Sequence, residues 1–290
     1  MTTTSSASRQ TVRVHGTEVE LFTGGEGPPL LMLHGFPETH TMWHKVAPEL
    51  SKYYTLVIPD LRGYGDSEKI SSDPKHNNYS KRTMAQDQVE VMERLGHTKF
   101  YVAGHDRGAR VSHRLAKDNQ DKVLKMLLLD IIPTREMFKQ VNQSMATSSY
   151  HWFFLIQEEP FPETLIQGSA EYYVKSRLKS VNDDCFNADS ISEYVRCGIN
   201  PGTIHAWCED YRAGASIDLE HDEEDFNNKL DMPLRVLWSS VGHMGRNNDV
   251  ISVWGNYANN VSGKSLNCGH FIPEELPNEI IKEFIQFFSE

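Results

Sequence analysis

The chain has 290 residues, 39% of them hydrophobic, which suits one large domain or a core carrying an insertion. A formal net charge of −11 disfavours nucleic acid as a partner, and any anionic substrate would have to be drawn by local positive charge. No apolar run reaches the length of about 18 residues that a membrane span needs, so no membrane partner is expected.

Residues 1–10 are polar and lack an apolar stretch, which predicts a disordered tail rather than a signal peptide. Thr11–Thr23 reads as a hairpin: Val12 and Val14 alternate, His15-Gly16 turns, and Val19 and Leu21 alternate again. Leu30–Leu33 is wholly apolar and predicts a short strand buried on both faces. It ends in His34-Gly35-Phe36-Pro37-Glu38, either a plain turn or a loop whose backbone N–H points into an active site. Thr41–Leu50 predicts a short helix, with His40 and His44 as packing or surface residues. No H-E-x-x-H pattern or carboxylate cluster accompanies them, so no metal or other cofactor is expected. Thr55–Ile58 predicts a second buried strand, followed by the tight loop Asp60–Ser67. Ser80–Leu95 predicts an amphipathic helix closed by Gly96.

Phe100–Ala103 is a β-prone run and Arg107–Asn119 reads as a helix. Between them lies Gly104-His105-Asp106-Arg107-Gly108, the pattern of a nucleophile elbow, with Asp where most elbows carry Ser. Taken alone, the spacing fits an ordinary strand-to-helix turn with an Asp cap equally well. As a nucleophile, a carboxylate is already ionised at neutral pH and needs no base. It suits displacement of a leaving group at saturated carbon, giving an ester that a second, base-assisted step must hydrolyse.

Val123–Leu129 predicts the next strand, ending at Asp130. Strands alternate with helices through Pro133, the rhythm of an α/β protein with a mostly parallel, doubly wound sheet. His34, Asp106 and Asp130 all fall just beyond strand ends, where such folds gather functional residues. From 134 to 214 the rhythm stops and an inserted helical lid is expected, leaving 11–133 and 215–290 as the core. Leu219–Leu230 is acidic and polar and reads as a loop. Leu234–Trp238 predicts a strand, Val250–Tyr257 a helix, and Ser262–Leu266 a weak strand leading to Cys268-Gly269-His270-Phe271. Leu276–Phe288 predicts a closing amphipathic helix. The cysteines 185, 197, 208 and 268 form no C-x-x-C pair, so reduced thiols and a cytoplasmic location are expected. A Cys268–His270 couple is conceivable, but Asp106 is the better-placed nucleophile.

In chain order the candidates are Asp106, Asp130 and His270, a nucleophile, an orienting acid and a base. Together with His34-Gly-Phe-Pro and Asp60-Leu-Arg-Gly-Tyr-Gly-Asp-Ser67, they resemble the α/β-hydrolase superfamily over nearly the whole chain. An Asp elbow there marks epoxide hydrolases, haloalkane dehalogenases and fluoroacetate (haloacetate) dehalogenases; the first two usually carry Trp after the Asp, where this chain has Arg107. The runs Gly104–Ser112, Leu129–Thr134, Tyr150-His151-Trp152 and Cys208–Gly214 resemble the fluoroacetate dehalogenases. The resemblance implies that Arg107 and Arg110 bind a substrate carboxylate and that His151, Trp152 and Tyr211 donate hydrogen bonds to the leaving halide. It also implies a homodimer acting on a small haloacid. Phe36 and Arg107 backbone N–H groups are expected to form the oxyanion hole. Taken singly, Arg110 would pass for a surface arginine and Trp152 for lid core. Asp130 is preferred as the acid because the loop after Trp238 has no Asp before Asp249. The alternatives are an epoxide hydrolase, which would want two lid tyrosines with Tyr211 as one, and a non-catalytic ligand receptor on the same fold.

Overall fold

The computed structural model describes residues 8–181 and 183–289. Eight strands form one sheet in the order β1-β2-β4-β3-β5-β6-β7-β8. They are β1 (Ser8–Val14), β2 (Thr17–Gly24), β3 (Pro29–Leu33), β4 (Thr55–Pro59), β5 (Phe100–His105), β6 (Val123–Leu129), β7 (Leu234–Ser239) and β8 (Val261–Leu266). β1 and β2 pair antiparallel, as do β2 and β4; from β4 through β3 to β8 every pairing is parallel. The α/β class and the doubly wound, mostly parallel sheet thus follow the sequence rhythm. The apolar β3 and β4 and the carboxyl halves of β5 and β6 are buried on both faces, which is why these segments read as unbroken hydrophobic runs.

The hairpin closes through His15 and Gly16, both at positive φ, the geometry that a two-residue turn needs to match strand twist. It begins earlier than expected. Ser8–Gln10, assigned by sequence to the tail, pair with Leu21–Thr23, while residues 1–7 lie outside the described residues. The helix expected over Thr41–Leu50 divides into a 3₁₀ turn, His40–Trp43, and a short helix, Ala47–Leu50, with Pro48 in its first turn, where a missing N–H costs nothing. The polar stretch after Leu219 is helical over Ile217–Glu224 rather than a loop. Asp218 and Glu220 fall in its first turn, where acidic groups meet the positive end of the helix dipole.

Between Thr134 and Gly214 the described residues form helices and turns and no strand. Of these, Tyr150–Leu155, Ala170–Arg177 and Pro201–Gly214 matter for the site. The last is fastened to the sheet layer by Asp210, which accepts hydrogen bonds from Tyr64 (2.7 Å) and from Lys81. Among the described residues no helix is long and apolar enough to cross a membrane.

Candidate active site

Asp106 opens the helix Asp106–Asp118 directly after β5 and sits at φ 44°, a left-handed backbone conformation that costs energy in a residue with a Cβ. The turn is tight enough that a Cβ on Gly104 would lie 2.5 Å from Ser112 Oγ, and one on Gly108 2.3 Å from the His34 carbonyl oxygen. The glycines of the elbow are therefore required by close approach. Phe36 N–H donates to Asp106 Oδ2 at 3.1 Å, so the loop after β3 does aim a backbone donor at the elbow. Arg107 N–H, expected beside it, makes no hydrogen bond to Asp106 among the described residues. Burial would raise the Asp106 carboxyl. The positive charges of His270, His105, Arg107 and Arg110 outweigh it and hold the group down at about 2.

His270 follows β8 on the loop before the short helix Ile272–Glu275. Its Nδ1 lies 2.6 Å from Asp130 Oδ2. Asp130, at φ 55°, accepts a second bond from Ser239 N–H through Oδ1 at 2.8 Å. Asp249, the other candidate acid, caps the helix Val250–Gly255 by accepting from Ser252 N–H. Burial works against the His270 cation, but the bond to Asp130 and the charges of Asp130 and Asp106 raise the imidazole to about 9. Cys268 is not a competing nucleophile: burial pushes its thiol up to about 12.

The two arginines three residues apart have different surroundings. Arg107, 1% exposed, is committed to Asp210, with Nε donating to Oδ2 and Nη2 to Oδ1 and to the backbone carbonyl, all at 2.8 Å. It does not line the cavity above Asp106. Arg110 does. It is 4% exposed, so it is not a surface arginine, and its Nη1 donates to Ile132 O and Thr134 Oγ1, both at 3.0 Å. No carboxylate forms an ion pair with Arg110 among the described residues, and its Nε is buried without a partner. Burial, reinforced by the Arg107 charge, lowers its guanidinium to about 10.

His151 and Trp152, on the helix Tyr150–Leu155, also line this cavity of about 280 Å³, together with Phe36, Asp106 and His270. Tyr211 packs edge-on against both, its ring 5.7 Å from that of His151 and 5.9 Å from that of Trp152. The Tyr211 hydroxyl is buried with no hydrogen-bond partner. The Arg110 guanidinium lies 4.7 Å over the Trp152 ring, so that indole packs against the charge rather than being mere core. Among the described residues no cluster of His, Cys, Asp and Glu could hold a metal ion.

The sequence reading did not single out three features of this region. Asp210 neutralises Arg107. His105 Nε2–H donates to the His270 carbonyl at 2.8 Å and its Nδ1 lies 3.2 Å from the buried Glu38. Arg177 and Lys179, at and just after the end of the helix Ala170–Arg177, line the cavity. Of these, His105 and Asp210 lie inside motifs already quoted, so the signal was present but carried no role.

The family model for the alpha/beta hydrolase fold matches residues 28–277. The chain belongs to the α/β-hydrolase family. This α/β-hydrolase is 40% identical over 285 residues to a fluoroacetate dehalogenase from Burkholderia sp, covering 97% of this chain and 94% of the relative. It is 34% identical over 284 residues to a soluble epoxide hydrolase from Corynebacterium sp. (strain C12), with 95% of each covered. Among solved structures, ALR0039 from Nostoc sp PCC 7120, a candidate alpha/beta hydrolase, superposes with a TM-score of 0.97 at 51% identity over 98% of both chains.

Proposed function

We propose that this α/β-hydrolase is a haloacetate dehalogenase, converting a 2-haloacetate and water to glycolate and halide. One observation carries the reading: Arg110 is a buried cation with no carboxylate partner among the described residues, on the same helix as Asp106 and facing the same cavity. A buried charge without a counter-ion is costly. A substrate carboxylate would supply the counter-ion and set the carbon two bonds away beside Asp106. Arg107 is already paired, so it contributes field at the elbow rather than a direct clamp.

In this reading Asp106 Oδ1 attacks the halogen-bearing carbon while Phe36 N–H holds Oδ2. The carbon–halogen bond breaks, and the halide leaves towards the N–H and O–H donors of His151, Trp152 and Tyr211. The product is a glycolate ester on Asp106. Ester formation removes the Asp106 charge, one of the charges that keep His270 protonated. His270 then loses its proton to solvent, the one proton released per turnover, and becomes the base for water attacking the ester carbonyl carbon. The developing oxyanion is Oδ2, with Phe36 N–H in front of it. Collapse breaks the bond to Oδ1 and expels glycolate, which takes the proton from His270; the restored Asp106 carries an oxygen from water and passes that oxygen's proton to His270, so the resting charges return.

The epoxide-hydrolase relatives keep a second reading alive. It would need phenol donors over the elbow, whereas an imidazole and an indole line this cavity and one phenol, Tyr211, packs against both of those rings. A homodimer, as the resemblance implies, is checked by light scattering. Halide release from fluoroacetate and chloroacetate, followed with ion-selective electrodes, tests the activity. Release that Asp106→Asn abolishes supports the reading. Folded protein that releases no halide but opens a simple epoxide would replace it.

A further inference from the structure

We propose that Arg177 is a positioning residue for His151, fixing its imidazole as the neutral Nε2–H tautomer and so aiming a hydrogen-bond donor into the cavity. Arg177 ends the helix Ala170–Arg177 and lines the same cavity as Asp106. Its Nη1 lies 3.1 Å from His151 Nδ1. A guanidinium has five N–H donors and no acceptor. The contact is a hydrogen bond only if Nδ1 accepts, and an accepting Nδ1 carries no proton. The single N–H of a neutral imidazole is then on Nε2, and the imidazolium, with a proton on each nitrogen, is disfavoured. Burial and the adjacent Arg177 charge act in the same direction, pushing the His151 imidazole down to about 3. Among the described residues Nε2 has no hydrogen-bond partner, so its proton is available to a ligand.

Apart from His151, Arg177 has few polar and aromatic partners among the described residues. It makes no ion pair among the described residues. Its Nε is buried without a partner, Nη2 donates weakly to Ser176 O at 3.4 Å, and its guanidinium packs 4.8 Å from the Tyr150 ring centroid.

The consequence for chemistry rests on the dehalogenase reading. An imidazolium at position 151 would attract the substrate carboxylate and compete with Arg110 for it, binding the acid backwards. A neutral N–H is a weak partner for the ground state and a strong one for the charge that grows on the halogen. Interactions that strengthen only in the transition state raise kcat. Fluoride needs such donors most, because it is small and strongly solvated, and bromide least.

The test uses the full-length protein with ¹⁵N-labelled histidine, His151 being assigned by the signal lost in His151→Gln. The wild type should give Nδ1 as an unprotonated nitrogen and Nε2 as a protonated one. Arg177→Met should turn this into a mixture of tautomers, and Arg177→Lys, which keeps a donor without an acceptor, should restore the single form. In kinetics, Arg177→Met should lower kcat on fluoroacetate by about ten- to a hundredfold and on bromoacetate by a few-fold, with KM little changed. Wild-type His151 protonated on Nδ1, or a tautomer ratio unmoved by Arg177→Met in a folded variant, overturns the proposal. Protein that releases no halide but shows the predicted tautomer switch keeps the role of Arg177 and loses the dehalogenase reading instead.

Discussion

His270 Nδ1 stands 2.6 Å from Asp130 Oδ2, and that carboxylate comes from the end of β6 rather than from β7, where Asp249 caps a helix instead. The pairing has a consequence for pH. The His270 imidazole is raised to about 9 from an ordinary 6.5, so the resting protein holds it protonated at neutral pH. Ester formation at Asp106, as proposed, would delete one of the charges responsible, so in that ester the imidazole should titrate below 9. When ester hydrolysis limits turnover, kcat should show an acid limb with its midpoint below 9. The initial halide burst, which needs only ionised Asp106, should lack that limb across neutral pH. Stopped-flow measurement of the burst and the steady state separates the two; identical profiles would contradict the division of labour.

The same shift bears on stability. A group whose value is raised on folding favours the folded state below its unfolded value and loses that contribution as pH climbs through the folded one. The His270 contribution should be complete below about 6.5 and gone above about 9. Urea unfolding of the wild type should show falling stability across that window, and His270→Gln should flatten it.

Arg110→Leu removes the cation assigned to the substrate carboxylate. Loss of one member of a desolvated ion pair costs roughly 3–5 kcal/mol, which is about two to four decades in kcat/KM for chloroacetate. Chloroacetamide, which has no carboxylate, should be a poor substrate for the wild type and lose far less on mutation. Equal losses for acid and amide would mean that Arg110 is structural.

Asp210→Ala strands Arg107, 1% exposed and held by three hydrogen bonds to that one residue, as a buried unpaired cation. It should cost roughly 3–5 kcal/mol of stability. Arg110→Leu, which breaks no ion pair, should cost less. Chemical denaturation of the two variants checks the order.

How far the sequence reaches is clear from these two arginines. Three apart on one helix, Arg107 and Arg110 look equivalent, and only the fold brings Asp210, 103 residues later, against one of them. Long-range pairing of this kind has no local signature. By contrast, the elbow, the strand ends at His34 and Asp130, and His270 were readable because each depends on short-range pattern: apolar runs that stop at a polar residue, and glycines where backbones touch. The helix Ile217–Glu224 was missed because its acidic first turn reads as polarity, although acids there favour a helix. Arg177 was missed for the same reason as Asp210, since its partner His151 lies 26 residues away on another helix.

The proposed attack at saturated carbon would also fix a stereochemical outcome. If the cavity of about 280 Å³ admits a chiral 2-chloropropionate, lactate of inverted configuration should result, because the ester is later cleaved at the Asp106 carbonyl and not at the substrate carbon. Chiral chromatography of the product reads this; retained or racemic lactate would count against displacement by Asp106.

The central claim is a covalent ester on Asp106 that forms without His270 and needs His270 to break down. Intact-protein and peptide mass spectrometry of His270→Ala after exposure to chloroacetate tests both halves at once. One carboxymethyl group per chain should appear, located on Asp106, with one equivalent of chloride released and no glycolate following. Folded His270→Ala that binds the substrate yet remains unmodified, or that carries the group on another residue, would contradict it.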